Sequence, residues 1–305
     1  MTMFKTFEEM VEQAKSTAPK VLSVAAAEDP EVLKAVKKAE EDGLITPILV
    51  GDKEKIEVFA KEVYYDLSNI KIYDEPDVTK ASHKAVQIVA EGEADFLMKG
   101  LVGTATILRA LLTKEYGLRQ DRLLSHIALM DLEDLDRLII MTDGGMNMYP
   151  DLNQKKQIIE NAVEVMHSIG VEMPKVVPLA ALELVNPDME PTIHAAILSK
   201  MADRGQIKGC IIDGPLAFDN AISEEAAKHK GIKSPVAGKA DVLLVPNIET
   251  GNVMYKALSY FSKMRAAMLV VGAKVPVVVT SRADNYMTKY YSMALGKLMM
   301  EYKNQ

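Results

Sequence analysis

The sequence predicts an α/β protein built on largely parallel sheet, and three observations carry that prediction. Short apolar runs that read as buried strands alternate with helical patterns along the chain. Strand–helix–strand order requires parallel pairing, with helices on both faces of a sheet. Several strands end in polar or glycine-rich tips that open into helices, where α/β proteins hold their ligands. A chain of 305 residues has room for one large domain of this class or two ordinary ones.

The elements follow in order. Thr6 and Glu9 form a capping-box pair that opens a first helix. Lys20–Ala27 reads as a strand, and Asp29 then caps a helix with Pro30 at its first position. Gly43 ends that helix, Ile45–Val50 is the next strand, and Asp52 starts another helix. Ile70–Tyr73, helical Thr79–Ala90 and strand Asp95–Lys99 continue the alternation. The tip Gly100-Leu101-Val102-Gly103-Thr104 then leads into a helix carrying Arg109. It matches neither the Walker pattern nor the dinucleotide fingerprint, so two readings stand: an anion cradle or a tight packing turn.

Leu123–Met130 and Arg137–Thr142 predict adjacent strands of a mixed sheet, with a domain boundary around residues 137–150. Beyond it come a helix from Leu152, strand Lys175–Ala180, helix Thr192–Arg204 and strand Gly209–Asp213. The loop from Gly214 to Asp219 leads to a helix at Ser223–Lys230, then strand Asp241–Pro246. Asn247–Asn252 caps a helix holding Tyr255 and Lys256. Val277–Val279 is a short buried strand, and Thr280-Ser281-Arg282-Ala283-Asp284-Asn285 leads into a helix over Tyr286–Glu301. At that tip, an anion held beside an acid–base group competes with an Arg–Asp pair that only caps a helix.

Composition narrows the function. Hydrophobic residues at 49% and charged residues at 26% suit a soluble globular enzyme, and a net charge of −7 argues against general nucleic-acid binding. An anionic substrate would therefore need a locally basic pocket. The N-terminus lacks a signal-peptide pattern, and no apolar run reaches the length of a membrane span. The single cysteine, Cys210, sits in an apolar strand, fitting a reducing cytoplasm and a packing role. No His/Cys cluster has metal-ligand spacing, and His126 within its strand suits a core position as well as a catalytic one. The tips Lys99–Thr104, Asp213–Asp219, Asn247–Asn252 and Thr280–Asp284, with Arg109, Lys256 and Arg282, describe a metal-free anion cleft.

Read together, VAAAEDPEVLKAV, MKGLVGTATILRALL, MTDGGMNMYPDLNQK, DGPLAFDNAI, PNIETGNVMYKAL and VTSRADN resemble the phosphotransacetylase family of phosphate acyltransferases, in its butyryl branch. The resemblance spans nearly the whole chain. It implies two doubly wound α/β domains with a cleft between them, in an isocitrate/isopropylmalate dehydrogenase-like architecture. The implied first domain is residues 1–140 with 284–305, completed by the C-terminal helix, and the second is 141–283. The implied reaction exchanges butyryl-CoA and inorganic phosphate for butyryl phosphate and CoA by direct transfer in a ternary complex. Coenzyme A is a substrate, and neither cofactor nor metal is required; a cytoplasmic homo-oligomer is expected.

In this reading Arg282 clamps phosphate and Ser281 donates to the developing oxyanion. The acetyl branch places its proposed base six residues after the arginine, where this chain has Thr288, so Asp284 takes the base or base-orienting role, with Asp219 as competitor. Lys99, Thr104, Arg109, Asp219, Asn252 and Lys256 are the expected substrate-binding residues. The rivals are a phosphate acetyltransferase, a non-catalytic CoA-binding protein, and a metal- and nicotinamide-dependent hydroxyacid dehydrogenase.

Overall fold

Short polar side chains set where the helices begin. Asp29, Asp52, Asp77, Asp151, Ser223, Asn247 and Asn285 each accept the backbone N–H three residues on, filling one donor that a helix start leaves open. The computed structural model describes residues 4–282 and 284–304. Its first elements are α1 (Phe7–Lys15), β1 (Lys20–Ala25), α2 (Pro30–Glu41), β2 (Ile45–Gly51), α3 (Lys53–Glu62), β3 (Lys71–Asp74), α4 (Val78–Ala90), β4 (Phe96–Lys99) and α5 (Thr104–Leu111). Next come β5 (Ser125–Asp131), β6 (Ile139–Thr142), α6 (Leu152–Ser168), β7 (Lys175–Pro178), α7 (Glu190–Asp203), β8 (Ile211–Ile212), α8 (Phe218–Ile222), α9 (Glu224–His229), β9 (Val242–Leu244) and α10 (Ile248–Phe261). β10 (Arg265–Val271), β11 (Val277–Val278) and α11 (Tyr286–Lys303) follow.

The chain divides into two compact units. An outer unit comprises Glu8–Arg122 and the chain from Ala266 onward, and a middle unit comprises Leu123–Arg265 with the segment ending at Phe7. The sequence pointed to exchanges at 140/141 and 283/284. The pairings show why the units change hands earlier in each case. β6 joins β5 on one side and β9 on the other, which holds residues 125–142 in the middle unit. β11 pairs with both β4 and β10, which ties β10 to the outer unit. β10 was not placed from the sequence, although its Ala266–Val271 run is apolar in the manner of a buried strand; such a run does not by itself distinguish strand from helix.

In the outer unit the strand order is β3-β2-β1-β4-β11-β10, parallel throughout except for the β10–β11 pair. The chain winds outward from β1 through β2 to β3, then returns to place β4 on β1's other side. In open α/β sheets ligands bind at such a reversal, here at the carboxyl ends of β1 and β4. Helix α11 packs on α2, β4 and β11 and is buried at every position from Lys289 to Met300. Gly296 allows the close approach, since a Cβ there would sit 2.9 Å from the Phe96 ring. Lys297 lies fully buried within this core; its ammonium donates to the Ala14 carbonyl, to the Thr17 carbonyl at 3.0 Å, and faces Glu301 at 3.6 Å.

The middle unit orders its strands β5-β6-β9-β7-β8, with only β5–β6 antiparallel. Its core gathers Met130, Ile139, Met141, Val177, Leu216 and Leu243. The helix expected at 223–230 is α9, capped by Ser223, and the end of the expected loop before it forms a further short helix, α8, that stops at the same serine. Gly144, after β6, meets Gly251 in the first turn of α10 backbone to backbone. A Cβ on Gly251 would lie 2.6 Å from the Gly144 Cα.

Two effects oppose each other at Gly251. Alanine in a helix is favoured over glycine by about 1 kcal/mol, but overpacking costs about 1–3 kcal/mol where the obstacle cannot move. The obstacle here is backbone, so we expect Gly251→Ala to lower the urea midpoint with an unchanged m-value. A raised midpoint would show that the Gly144 loop yields.

Candidate active site

Three strand tips of the outer unit lie side by side. Ala25 stands opposite Lys99 across β1 and β4, and Val278 stands opposite Met98 across β11 and β4. The segments Ala26–Asp29, Lys99–Thr104 and Thr280–Asp284 therefore leave the sheet at one edge. Gly100 and Leu101 donate their N–H groups to the Ala25 carbonyl at 2.8 Å and the Ala26 carbonyl at 2.7 Å. A Cβ on Gly100 would fall 2.1 Å from the Ala26 oxygen, and Ala26 itself adopts φ +52°. Only glycine fits the first position.

Lys99 is buried at the end of β4, its ammonium 3.1 Å from the Val102 carbonyl and 3.3 Å from that of Gly100. Burial holds its pKa below the ordinary lysine value, and the nearby charges of Arg282 and Lys289 push the same way, against Asp284 and Asp29. Thr104 opens α5 and is half-buried behind Gly103, which makes no side-chain cap. Arg109 is exposed in the last turn of α5. At 1.5 Å per residue it stands roughly 7–8 Å further along the helix than Thr104. Lys99, Thr104, Ser281, Arg282 and Asp284 thus share the edge, while Arg109 lies at the far end of its helix.

At the tip after β11, Ser281 and Asp284 are hydrogen-bonded to each other. The Ser281 N–H donates to the Asp284 carboxylate at 2.6 Å, and the Asp284 N–H returns to the Ser281 carbonyl at 3.2 Å. Ser281 and Arg282 are exposed. The helix cap is Asn285, whose side chain accepts from Thr288 N–H at 3.0 Å, so Asp284 and Arg282 are not the capping pair. The Tyr286 N–H donates to Glu31 at 2.8 Å, fastening this helix start to α2. Sequence reasoning missed Lys289, which is buried and donates to the Asp284 carbonyl at 2.6 Å. Little in the sequence signals it, since the same helix also carries Ser292 and Lys297.

It also missed Glu28, an acid in the tip after β1. Glu28 is 7% exposed, and among the described residues its Oε2 has no hydrogen-bond partner. The carboxylate lies over Gly51, where a Cβ would come within 2.1 Å of Oε2. Burial raises its pKa, with repulsion from Asp52 adding to it; the amides of Glu28 and Asp52 and the Lys55 charge oppose.

In the middle unit, Asp143 follows a cis Thr142–Asp143 peptide. Its carboxylate accepts from the N–H groups of Gly145 and Met146 at 2.9 Å and of His126 at 3.0 Å, and from the Asn147 amide at 2.6 Å. Asn147 also donates to the Leu124 carbonyl at 2.9 Å, which gives it a loop-building role. Asn252 and Lys256 are exposed on α10. Asp219 is exposed and paired with Lys230 at 3.2 Å, a lysine that also holds Glu183 at 2.6 Å. That pairing pulls the Asp219 pKa below its ordinary value, leaving a poor proton acceptor. Cys210 is buried and its thiol is pushed up to about 11, mainly by burial. Among the described residues, no group of three or more His, Cys, Asp or Glu side chains is placed to hold a metal ion, and no helix is long and apolar enough to cross a membrane.

A family profile described as phosphate acetyl/butaryl transferase matches residues 5–80 and 75–296. The chain belongs to this family. Phosphate butyryltransferase of Clostridium beijerinckii is 52% identical over 97% of this chain and 98% of its own. Phosphate acetyltransferase of Thermotoga maritima is 47% identical over 95% of this chain and 98% of its own. The crystal structure of a branched-chain phosphotransacylase from Enterococcus faecalis superposes with a TM-score of 0.81 at 33% identity, covering 92% of this chain and 99% of that one. The α/β architecture expected from the sequence is thus the family's.

Glu28 carries a stability prediction. Its folded pKa is raised, so its favourable contribution is full below the unfolded value of about 4.3 and is lost as pH rises through the folded value. At pH 8 the buried anion destabilises the fold. We expect Glu28→Gln to gain about 1 kcal/mol in urea unfolding at pH 8, with the gain shrinking toward pH 4.5. An equal or greater gain at pH 4.5 would contradict this.

Proposed function

We propose that this chain is a phosphate butyryltransferase, transferring a butyryl group between coenzyme A and inorganic phosphate. The carrying observation is the 52% identity, over 97% of the chain, to a protein of that name. The edge holding Lys99, Ser281 and Arg282 supports it with two cations and a hydroxyl in one unit.

Toward acyl-CoA, the thiol sulfur attacks the acyl-phosphate carbonyl carbon, the C–S bond forms, and the bond between that carbon and the bridging phosphate oxygen breaks. The electron pair leaves with phosphate, and the thiol proton passes to a carboxylate or to the departing phosphate. Arg282 takes two phosphate oxygens through its planar fork, and Ser281 donates to the carbonyl oxygen as it gains charge. Asp284 acts on this tip chiefly by orienting it, through the Ser281 N–H it accepts. Thr104, Arg109, Asn252 and Lys256 remain the proposed contacts for the CoA and phosphate groups, with Asp219 the weakest member because Lys230 already occupies it.

Direct transfer in a ternary complex is favoured by the state of Cys210. A buried thiol with a raised pKa is a poor nucleophile for an acyl-enzyme. Neither metal nor cofactor is required in this scheme, and the compartment is the cytoplasm. A homo-oligomer is part of the same reading. Of α10's residues only Gly251 is buried, and the helix exposes Val253, Tyr260 and Phe261, the last at 92%. The second reading, a phosphate acetyltransferase, rests on the Thermotoga maritima relative.

Initial rates over acetyl-, propionyl- and butyryl-CoA with phosphate decide between the two. Butyryl-CoA is expected to turn over fastest, at a rate unchanged by chelator, and a strong acetyl preference would favour the second reading. Arg282→Ala is expected to lose activity by about 100-fold or more with an unaltered melting temperature. Near-normal turnover in that variant would remove Arg282 from the site.

A further inference from the structure

Lys289 is an expensive residue where it stands. It lies in the first turns of α11, near the positive end of the helix dipole, and it is buried. Among the described residues its ammonium has one acceptor, the Asp284 carbonyl. The contrast is Lys297 on the same helix, which has two carbonyls and a carboxylate. The carboxylates whose charge reaches Lys289 are Asp284, Asp29 and Glu31. Each is engaged by a backbone N–H: Asp284 by Ser281, Asp29 by Val32, and Glu31 by Tyr286. Lys99, whose charge couples to Lys289 and Arg282, likewise rests on carbonyl oxygens, with no ion pair among the described residues. Among the described residues neither buried ammonium is held in an ion pair, and together with the exposed Arg282 guanidinium they make a site suited to an anion.

We propose that Lys289 is a positioning residue of the phosphate site: it holds the Ser281–Asp284 turn through the Asp284 carbonyl, and its charge joins that of Lys99 in drawing a phosphate dianion to Arg282. Lys289 takes this role in catalysis only if the chain transfers acyl groups to phosphate. Its effect passes through the turn and the local field, so it alters phosphate use more than acyl-CoA use.

Wild type, Lys289→Met, Lys289→Gln and Lys289→Arg are compared in initial-rate kinetics with butyryl-CoA and phosphate. Each is also melted with and without inorganic phosphate, in the absence of acyl substrate. Lys289→Met and Lys289→Gln are expected to raise the phosphate KM by about tenfold or more, with the butyryl-CoA KM within about twofold. Lys289→Arg, which keeps the charge, should recover most of the phosphate affinity. Phosphate should raise the melting temperature of wild type and Lys289→Arg, and raise it much less in the neutral variants. Equal rises in both KM values, or an undiminished phosphate shift in the neutral variants, would overturn the assignment. So would failure of both neutral variants to fold, which assigns Lys289 to stability alone. A wild type that is stabilised by phosphate yet releases no CoA defeats the transferase reading, and the melting series still decides the role of Lys289.

Discussion

Where β1 and β4 end side by side, the Ala26 carbonyl takes the Leu101 N–H at 2.7 Å and leaves no room for a side chain on Gly100. The rest of the outer unit's edge follows from that contact. With the loop after β4 pressed onto β1, Lys99 is buried and its ammonium reaches the Gly100 and Val102 carbonyls of that loop. β11 pairs with β4 on its other side, so the Ser281–Asp284 turn emerges next to the trapped lysine. A backbone clasp thereby decides where positive charge sits.

That charge is held against the preferences of the fold. An ammonium removed from water is stabilised only by close, well-placed acceptors. Lys297 has them and functions as a core polar bolt between α11 and the main chain near Ala14 and Thr17. Lys99 and Lys289 have fewer, and burial lowers the pKa of both. Local rules broken without an evident structural gain are a mark of functional sites. The same reasoning applies to Glu28, whose carboxylate stays buried over Gly51 with one oxygen unpartnered among the described residues.

Much of this was legible beforehand because it rests on local signals. Asp29-Pro30 and Asp52 named the starts of α2 and α3, and Ser281-Arg282 was visible as a polar tip after an apolar strand. What stayed hidden depends on partners distant in sequence. Glu31 reaches Tyr286 across 255 positions, and no periodicity reveals that bond. Lys289 reads as an ordinary helix residue until α11 proves to be enclosed on every side. Arg109 sits near Thr104 in sequence, but the straight run of α5 carries it away along the axis. Asp219 looked available as an acid–base group because its partner, Lys230, lies beyond the intervening turn of α8 and α9.

The enclosure of Cys210 has a practical side. It is the chain's only cysteine, and its thiol is both shielded and held protonated, at about 11. A colour reagent for free sulfhydryls, added to the native protein, would therefore find almost nothing to label on the polypeptide. Any thiol that appears on mixing with acyl-CoA and phosphate comes from the nucleotide product. Single-turnover measurements with protein in excess over acyl-CoA are then open to direct colorimetry, without subtraction of a protein background.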